Sequence, residues 1–123
     1  MLKNESRRNQ RFQDFGRVEN RNICSIYGTL NDISLNGMKV TYNAPVSLDM
    51  ENQYEISVRL SKFSSEPLNL LVEPAWKFQR NGSFQIGFEI LRSADTHRLT
   101  EYIDYLKSAS EESEENAVES LYV

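Results

Sequence analysis

Apolar and polar positions alternate with period two over much of the chain. Tyr54, Ile56, Val58 and Leu60 are separated by Glu55, Ser57 and Arg59, which predicts a strand with one buried and one wet face. Leu68, Leu70, Val72, Trp76 and Phe78 share a second alternating face, interrupted by Pro74. Proline donates no ladder hydrogen bond, so Pro74 marks an edge or a bulge. On this pattern Trp76 and Phe78 are expected in the core rather than on a ligand platform. Phe84, Ile86, Phe88 and Ile90 form a third alternating set. Asn81-Gly82 lies between the last two sets and predicts a two-residue hairpin, because a type I′ turn needs positive φ at both positions. Met38, Val40 and Tyr42 predict another short strand. Ile23 to Leu30 reads as a strand with apolar residues on both faces, Cys24 among them as a small packed residue. Phe15 to Arg21 reads as a weakly patterned strand.

The period then changes. Leu99, Tyr102, Ile103 and Leu106 fall at i, i+3, i+4 and i+7, one stripe of an α-helix. The helix is predicted at about 95–108, with Ser93 or Asp95 capping its start and Lys107 near its C-terminal end. The acidic stretch that follows can fray, extend the helix or be disordered, and its final Leu-Tyr-Val is a candidate docking hook. Six antiparallel strands followed by one helix predict a small barrel or a strongly bent sheet. The helix would cover an open end or an apolar face.

A chain of 123 residues fits one domain with a real core. No apolar run approaches the roughly 18–20 residues of a membrane span, and the first ten residues lack a signal-peptide apolar stretch. A cytoplasmic protein is the expectation. The one cysteine, Cys24, excludes an intramolecular disulfide and a Cys-rich zinc site, and the one histidine, His97, excludes a multi-His metal site. His97 lies in the predicted first helical turn and reads as an exposed or capping residue. With no nucleophile–base pair in view, an enzyme is not expected.

The net charge of −4 is unevenly spread. Residues 1–22 carry +3, residues 23–107 carry −2, and residues 108–123 carry five glutamates and no cation. An acidic chain argues against sequence-independent DNA or RNA binding, which uses a basic domain. A small anionic ligand at the basic end remains compatible.

Two groups of residues carry candidate chemistry. Arg7 and Arg11 have R-x-x-x-R spacing, with Arg8 between them. Asp32-Ile33-Ser34-Leu35-Asn36-Gly37 is a D-x-S-x-x-G loop between two strands. Twenty residues separate Arg11 from Asp32, about one strand hairpin, so both groups can meet at one barrel mouth. Arginine presents a planar fork to phosphate or to guanine O6 and N7, and stacks on purines. Asp32 can accept from the N1–H and amino edge of guanine. Ser34 can serve a phosphate or ribose oxygen, and Gly37 allows positive φ and a close backbone approach. Together they suit a guanine nucleotide with more than one phosphate. Alone, the first motif is as readily a solvated basic arm, and the second a β-turn whose Asp and Ser bond neighbouring amides.

In order and spacing, Arg7-x-x-x-Arg11 followed by Asp32-x-Ser34-x-x-Gly37 resembles the PilZ domain signature. The Leu70 to Phe78 strand, the hairpin and Ile86-Gly87-Phe88-Glu89 are similar to that family's closing strands, so the resemblance covers roughly residues 6–107. It implies an all-β fold with one C-terminal helix, a six-stranded antiparallel PilZ-type β-barrel, and a bacterial receptor for cyclic di-GMP. It implies that Arg7 and Arg11, helped by Arg8, grip the ligand's phosphates and guanines from an N-terminal arm. Asp32, Ser34 and Gly37 would form the opposing wall. The expected organisation is a basic arm at 1–12, a barrel plus helix at 13–108 and an acidic tail at 109–123. The expected role is a non-catalytic effector, needing no metal or cofactor, that changes conformation on binding and signals to a protein partner in trans. The alternative is a PilZ-like protein-interaction adaptor insensitive to nucleotide.

Overall fold

The computed structural model describes residues 10–62 and 66–122, with side chains through residue 110. Seven strands follow in order: β1 (Phe12–Gln13), β2 (Arg17–Glu19), β3 (Gly28–Ile33), β4 (Gly37–Tyr42), β5 (Tyr54–Arg59), β6 (Leu68–Arg80) and β7 (Ser83–Ile90). Among the described residues one helix, α1 (Thr96–Tyr122), follows them. All pairings are antiparallel, and β3 pairs with both β2 and β4. The ring β2-β5-β6-β7-β4-β3 therefore closes on itself. β1 pairs with β3 just beyond β2, so β1 and β2 act as one barrel strand broken at Asp14–Gly16. The result is the six-stranded antiparallel barrel with a C-terminal helix expected from the sequence.

The core fills the barrel. Val18, Leu30, Ile33, Met38, Val40, Val58, Leu70, Val72 and Ile86 are fully buried, each an inward position of its strand. Leu99, Tyr102, Ile103 and Leu106 close the core from α1, as their spacing predicted. The hairpin between β6 and β7 turns at Asn81 and Gly82, with φ of 53° and 78°, the conformation that dipeptide favours.

Three departures from the simple pattern matter. First, the predicted strand from Ile23 to Leu30 begins only at Gly28. Asn20 is the reason: its side-chain oxygen accepts from the Asn22 amide, and its carbonyl accepts from Ile23 and Cys24. This Asx-type turn takes the amides a ladder would have used. Ile23 and Cys24 still reach the core, but from a loop.

Second, α1 does not stop near Lys107 but continues to Tyr122, which places Lys107 in mid-helix. Its start is tied to the sheet more than to its own amides. The Ser93 hydroxyl accepts from the Leu71 amide, and the Asp95 carboxylate accepts from the Asn69 amide, each at 2.7 Å. Tyr102 donates to Asp14, whose other carboxylate oxygen accepts from Gly16 N–H (2.8 Å) and Ser61 N–H (3.1 Å). Asp14 is almost fully buried. Burial, and then the bond to Asp14, pushes the Tyr102 phenol above its ordinary pKa.

Third, Trp76 and Phe78 leave the core; they are 43% and 53% exposed. The register shifts between Pro74 and Trp76, with Ala75 as the extra residue. One inserted residue reverses the facing of everything after it. The bulge that Pro74 signalled thus turns Trp76 and Phe78 to the outer surface.

Candidate functional site

A second bulge builds the site. In β3, Leu30 and Ile33 are both buried, although strict alternation cannot bury both. The register shifts between Leu30 and Asp32, leaving Asn31 extra. Without that residue Asp32 would point into the core. With it, the carboxylate faces outward, 20% exposed.

The pairing of β1 with β3 sets Gln13 opposite Asp32 and Phe12 opposite Ile33. Arg11, one residue earlier, reaches back across this pair. Its Nη1 donates to Asp32 Oδ1 at 2.6 Å, a charge-assisted bond. Lys39, opposite Asp32 on β4, brings its Nζ to 3.9 Å from Oδ2. Both cations are partly solvated, so the cluster is positive at its surface and screened by salt.

Gly37 begins β4 beneath this cluster. A Cβ there would stand 3.1 Å from Arg11 Nη2 and 3.3 Å from the Phe88 carbonyl. The absent side chain is what lets the guanidinium lie on the backbone. Gly37 does not use a positive φ; among the described glycines only Gly82 does. Close approach, not backbone freedom, is its role.

Ser34 is placed differently from its neighbours. It is 1% exposed, and its hydroxyl lies 3.2 Å from both the Gly37 carbonyl and Asn36 Oδ1. The Ser34 amide also donates to the Gly37 carbonyl, at 2.8 Å. Ser34 thus closes the β3–β4 turn and holds Gly37 where Arg11 can lie on it. Arg7 and Arg8 lie outside the described residues.

Two further residues share this outer wall. The registers align Asp32 with Lys39, Lys39 with Gly87, and Gly87 with Trp76 across four strands. A Cβ at Gly87 would stand 2.1 Å from Trp76 Nε1, so the indole lies flat over that glycine. An exposed aromatic face therefore ends a row that begins at Arg11 and Asp32, about 14 Å away at the usual strand spacing. Sequence reasoning missed Lys39, which carries no motif, and missed Trp76 because the Ala75 bulge was not followed through. Pro74 and Gly87 were the available signals.

The other candidates have local roles. His97 is exposed, with Nε2 2.9 Å from Glu101 Oε1 one helical turn on. Cys24 is buried. No group of three or more His, Cys, Asp and Glu suited to a metal occurs among the described residues. Nor is any described helix long and apolar enough to cross a membrane.

No protein-family model and no curated protein matches the sequence. Solved structures do. Escherichia coli YcgR in complex with c-di-GMP aligns over 89% of this chain and 50% of its own, at 15% identity and a TM-score of 0.63. The inhibitor of motility MotI/DgrA from Bacillus subtilis aligns over 80% and 50%, at 13% identity and a TM-score of 0.60. This chain spans about half the length of both proteins. The isolated PilZ domain of YcgR with c-di-GMP aligns over 88% of this chain and 96% of its own, at 16% identity and a TM-score of 0.62. With a closed antiparallel barrel, a helix across it and an alignment that takes in nearly the whole of an isolated PilZ domain, this chain has the PilZ-domain fold.

Proposed function

We propose that this chain is a receptor for cyclic di-GMP, without catalytic activity, that passes the signal to a protein partner in trans. The observation that carries the reading is the Arg11 guanidinium on Asp32 and over Gly37, on the outer wall of this fold. The site pairs a cationic donor fork with an outward carboxylate, as a guanine nucleotide with two phosphates requires. Arg7 and Arg8 add charge from the preceding segment. Lys39 faces the same anion, and the Trp76 indole offers a flat surface to a base. The similar structures that hold c-di-GMP support the choice of ligand. In this role Ser34 acts by holding the turn. Ligand binding replaces the Arg11–Asp32 contact with contacts to phosphate and base, and the altered surface is what a partner reads.

Calorimetric titration of cyclic di-GMP into the protein tests this. Saturable binding that weakens with added salt is expected; absence of binding overturns it. One observation favours the alternative, a nucleotide-insensitive adaptor: Arg11 already satisfies Asp32, and the Ser34 hydroxyl is used within its own turn. The same titration decides between them.

Asp32 is expected to set base preference. Asp32→Ala should weaken cyclic di-GMP and reduce its advantage over cyclic di-AMP, whose adenine has no N1–H for a carboxylate to accept. Competition between the two dinucleotides measures this, and equal affinities in the native protein would remove base reading from Asp32.

Trp76 is the chain's single tryptophan, so its emission reports on one place. Cyclic di-GMP should quench it, and Trp76→Ala should weaken binding by about 1–2 kcal/mol, the lower part of the range for stacking one base. Emission unchanged at saturation would exclude the indole from the site.

A further inference from the structure

A second surface lies three residues along β3 from Asp32, on the same outer wall. Arg17 on β2 is directly opposite Arg59 on β5, both exposed. Like charges directly opposite in a sheet destabilise it. Among the described residues neither arginine has a carboxylate in ion-pair contact. Arg17 instead lies over the Tyr27 ring, 4.5 Å from its centre. Around this pair the surface is apolar: Phe15 is 78% exposed, and Ile26 and Tyr27 are each 48% exposed. A cleft of about 280 Å³ adjoins it, lined by Ile26, Tyr27, Arg21, Cys24 and Glu19. Glu19 is the one acid in this group, and Arg17, Arg21 and Arg59 outnumber it.

The chain carries a segment of the opposite character. Residues 108–123 hold five glutamates and no cation, and end in Val118, Leu121, Tyr122 and Val123. This segment continues α1, which is unbroken from Thr96 to Tyr122. At 1.5 Å per residue the helix is about 40 Å long, more than a small domain's diameter. Its last core residue is Leu106. A helix unbroken from there to Tyr122 does not reverse onto its own barrel. Nor can two such tails pair with each other, since both are strongly acidic.

We infer that the surface formed by Phe15, Arg17, Tyr27 and Arg59 receives the acidic C-terminal helix of a second copy of this chain. The glutamates would neutralise the opposed arginines, and the terminal apolar residues would cover Phe15, Ile26 and Tyr27. A helix extension too short and too charged to be stable alone would gain a packing surface. Exchange of tails between two copies buries both surfaces at once, as a two-fold dimer requires.

Sedimentation equilibrium of the full chain, with no nucleotide present, tests this apart from the cyclic di-GMP reading. The mass should rise from 14.3 kDa toward twice that value across the micromolar range, and fall back with added salt. Arg17→Glu with Arg59→Glu should leave a monomer. Glu111, Glu112, Glu114 and Glu115 all changed to Lys should do the same. Mixing the two reversed chains should restore a dimer. The tail variant alters residues beyond the last core contact, so it decides the matter even if the arginine variant fails to fold. A native chain that stays monomeric, or a dimer that survives the tail reversal, overturns the proposal.

Discussion

Arg7→Ala and Arg11→Ala should each weaken cyclic di-GMP binding by about 1–3 kcal/mol, the worth of one bidentate base contact. That is roughly 5–150-fold in the dissociation constant. The effect follows from geometry at Arg11. Its guanidinium lies against Asp32 and over the bare Gly37 backbone, on the outer wall, so exchanging that contact for a phosphate or base needs only a local move of the side chain. Arg11→Lys should recover only part of the loss, because an ammonium is a point charge without the planar fork. Barrel stability should hardly change in Arg11→Ala, since an exposed ion pair contributes about 0–1 kcal/mol. Calorimetry for affinity and a urea transition for stability separate the two quantities. Unchanged affinity in both alanine variants would remove the arginines from the site.

Asp14→Ala should destabilise the fold by about 3–5 kcal/mol, from the loss of three hydrogen bonds to one buried carboxylate at roughly 1–2 kcal/mol each. Three donors converge on this carboxylate: the Tyr102 hydroxyl, the Gly16 amide and the Ser61 amide. Alanine would take this acceptor from the Gly16 and Ser61 amides and remove one of the partners of the Tyr102 hydroxyl. Typical domain stability is only about 5–15 kcal/mol, so the urea midpoint should fall steeply. Tyr102→Phe removes one of the three bonds and should cost about 1–3 kcal/mol. The two changes share a contact, so the double variant should cost less than their sum. Strict additivity would mean that the Tyr102–Asp14 bond contributes nothing of its own. The expectation bears on function as well as stability. Asp14 lies three residues from Arg11, so the same carboxylate ties the segment that follows Arg11 to α1.

The regular parts of this protein are written in its period. β5 and β7 follow strict alternation, the Asn81-Gly82 turn has its characteristic dihedrals, and the α1 stripe is the buried one. The site depends on irregularity. Asn31 and Ala75 are each one residue too many, and each reverses the facing of the side chains that follow. Nothing in the composition around Asn31 distinguishes a bulge from continued alternation, because the difference lies in pairing with β4. The motif positions Arg11, Asp32 and Gly37 were nonetheless legible by spacing, and the structure brings those three together. Ser34 was legible as a position but not as a role: a hydroxyl suited to a ligand is equally suited to its own turn. Trp76 was read as core because alternation was carried through Pro74 without allowing for the added residue. The apolar stripe supports α1 only to about 108 and leaves extension, fraying and disorder open beyond it; the helix continues to Tyr122, because continuation needs only compatible residues.

Closure of the strand ring also determines how other proteins can hold this one. β2 through β7 each pair with two neighbours, but β6 meets β5 only over its first five residues, and beyond Val72 it pairs with β7 alone. Among the described strands β1, two residues long, pairs with β3 alone. Over the closed part of the ring a partner strand finds no free ladder, so sheet extension is confined to the outer stretch of β6 beyond Val72. Elsewhere association is through side chains that point outward, where single substitutions change specificity without disturbing a ladder.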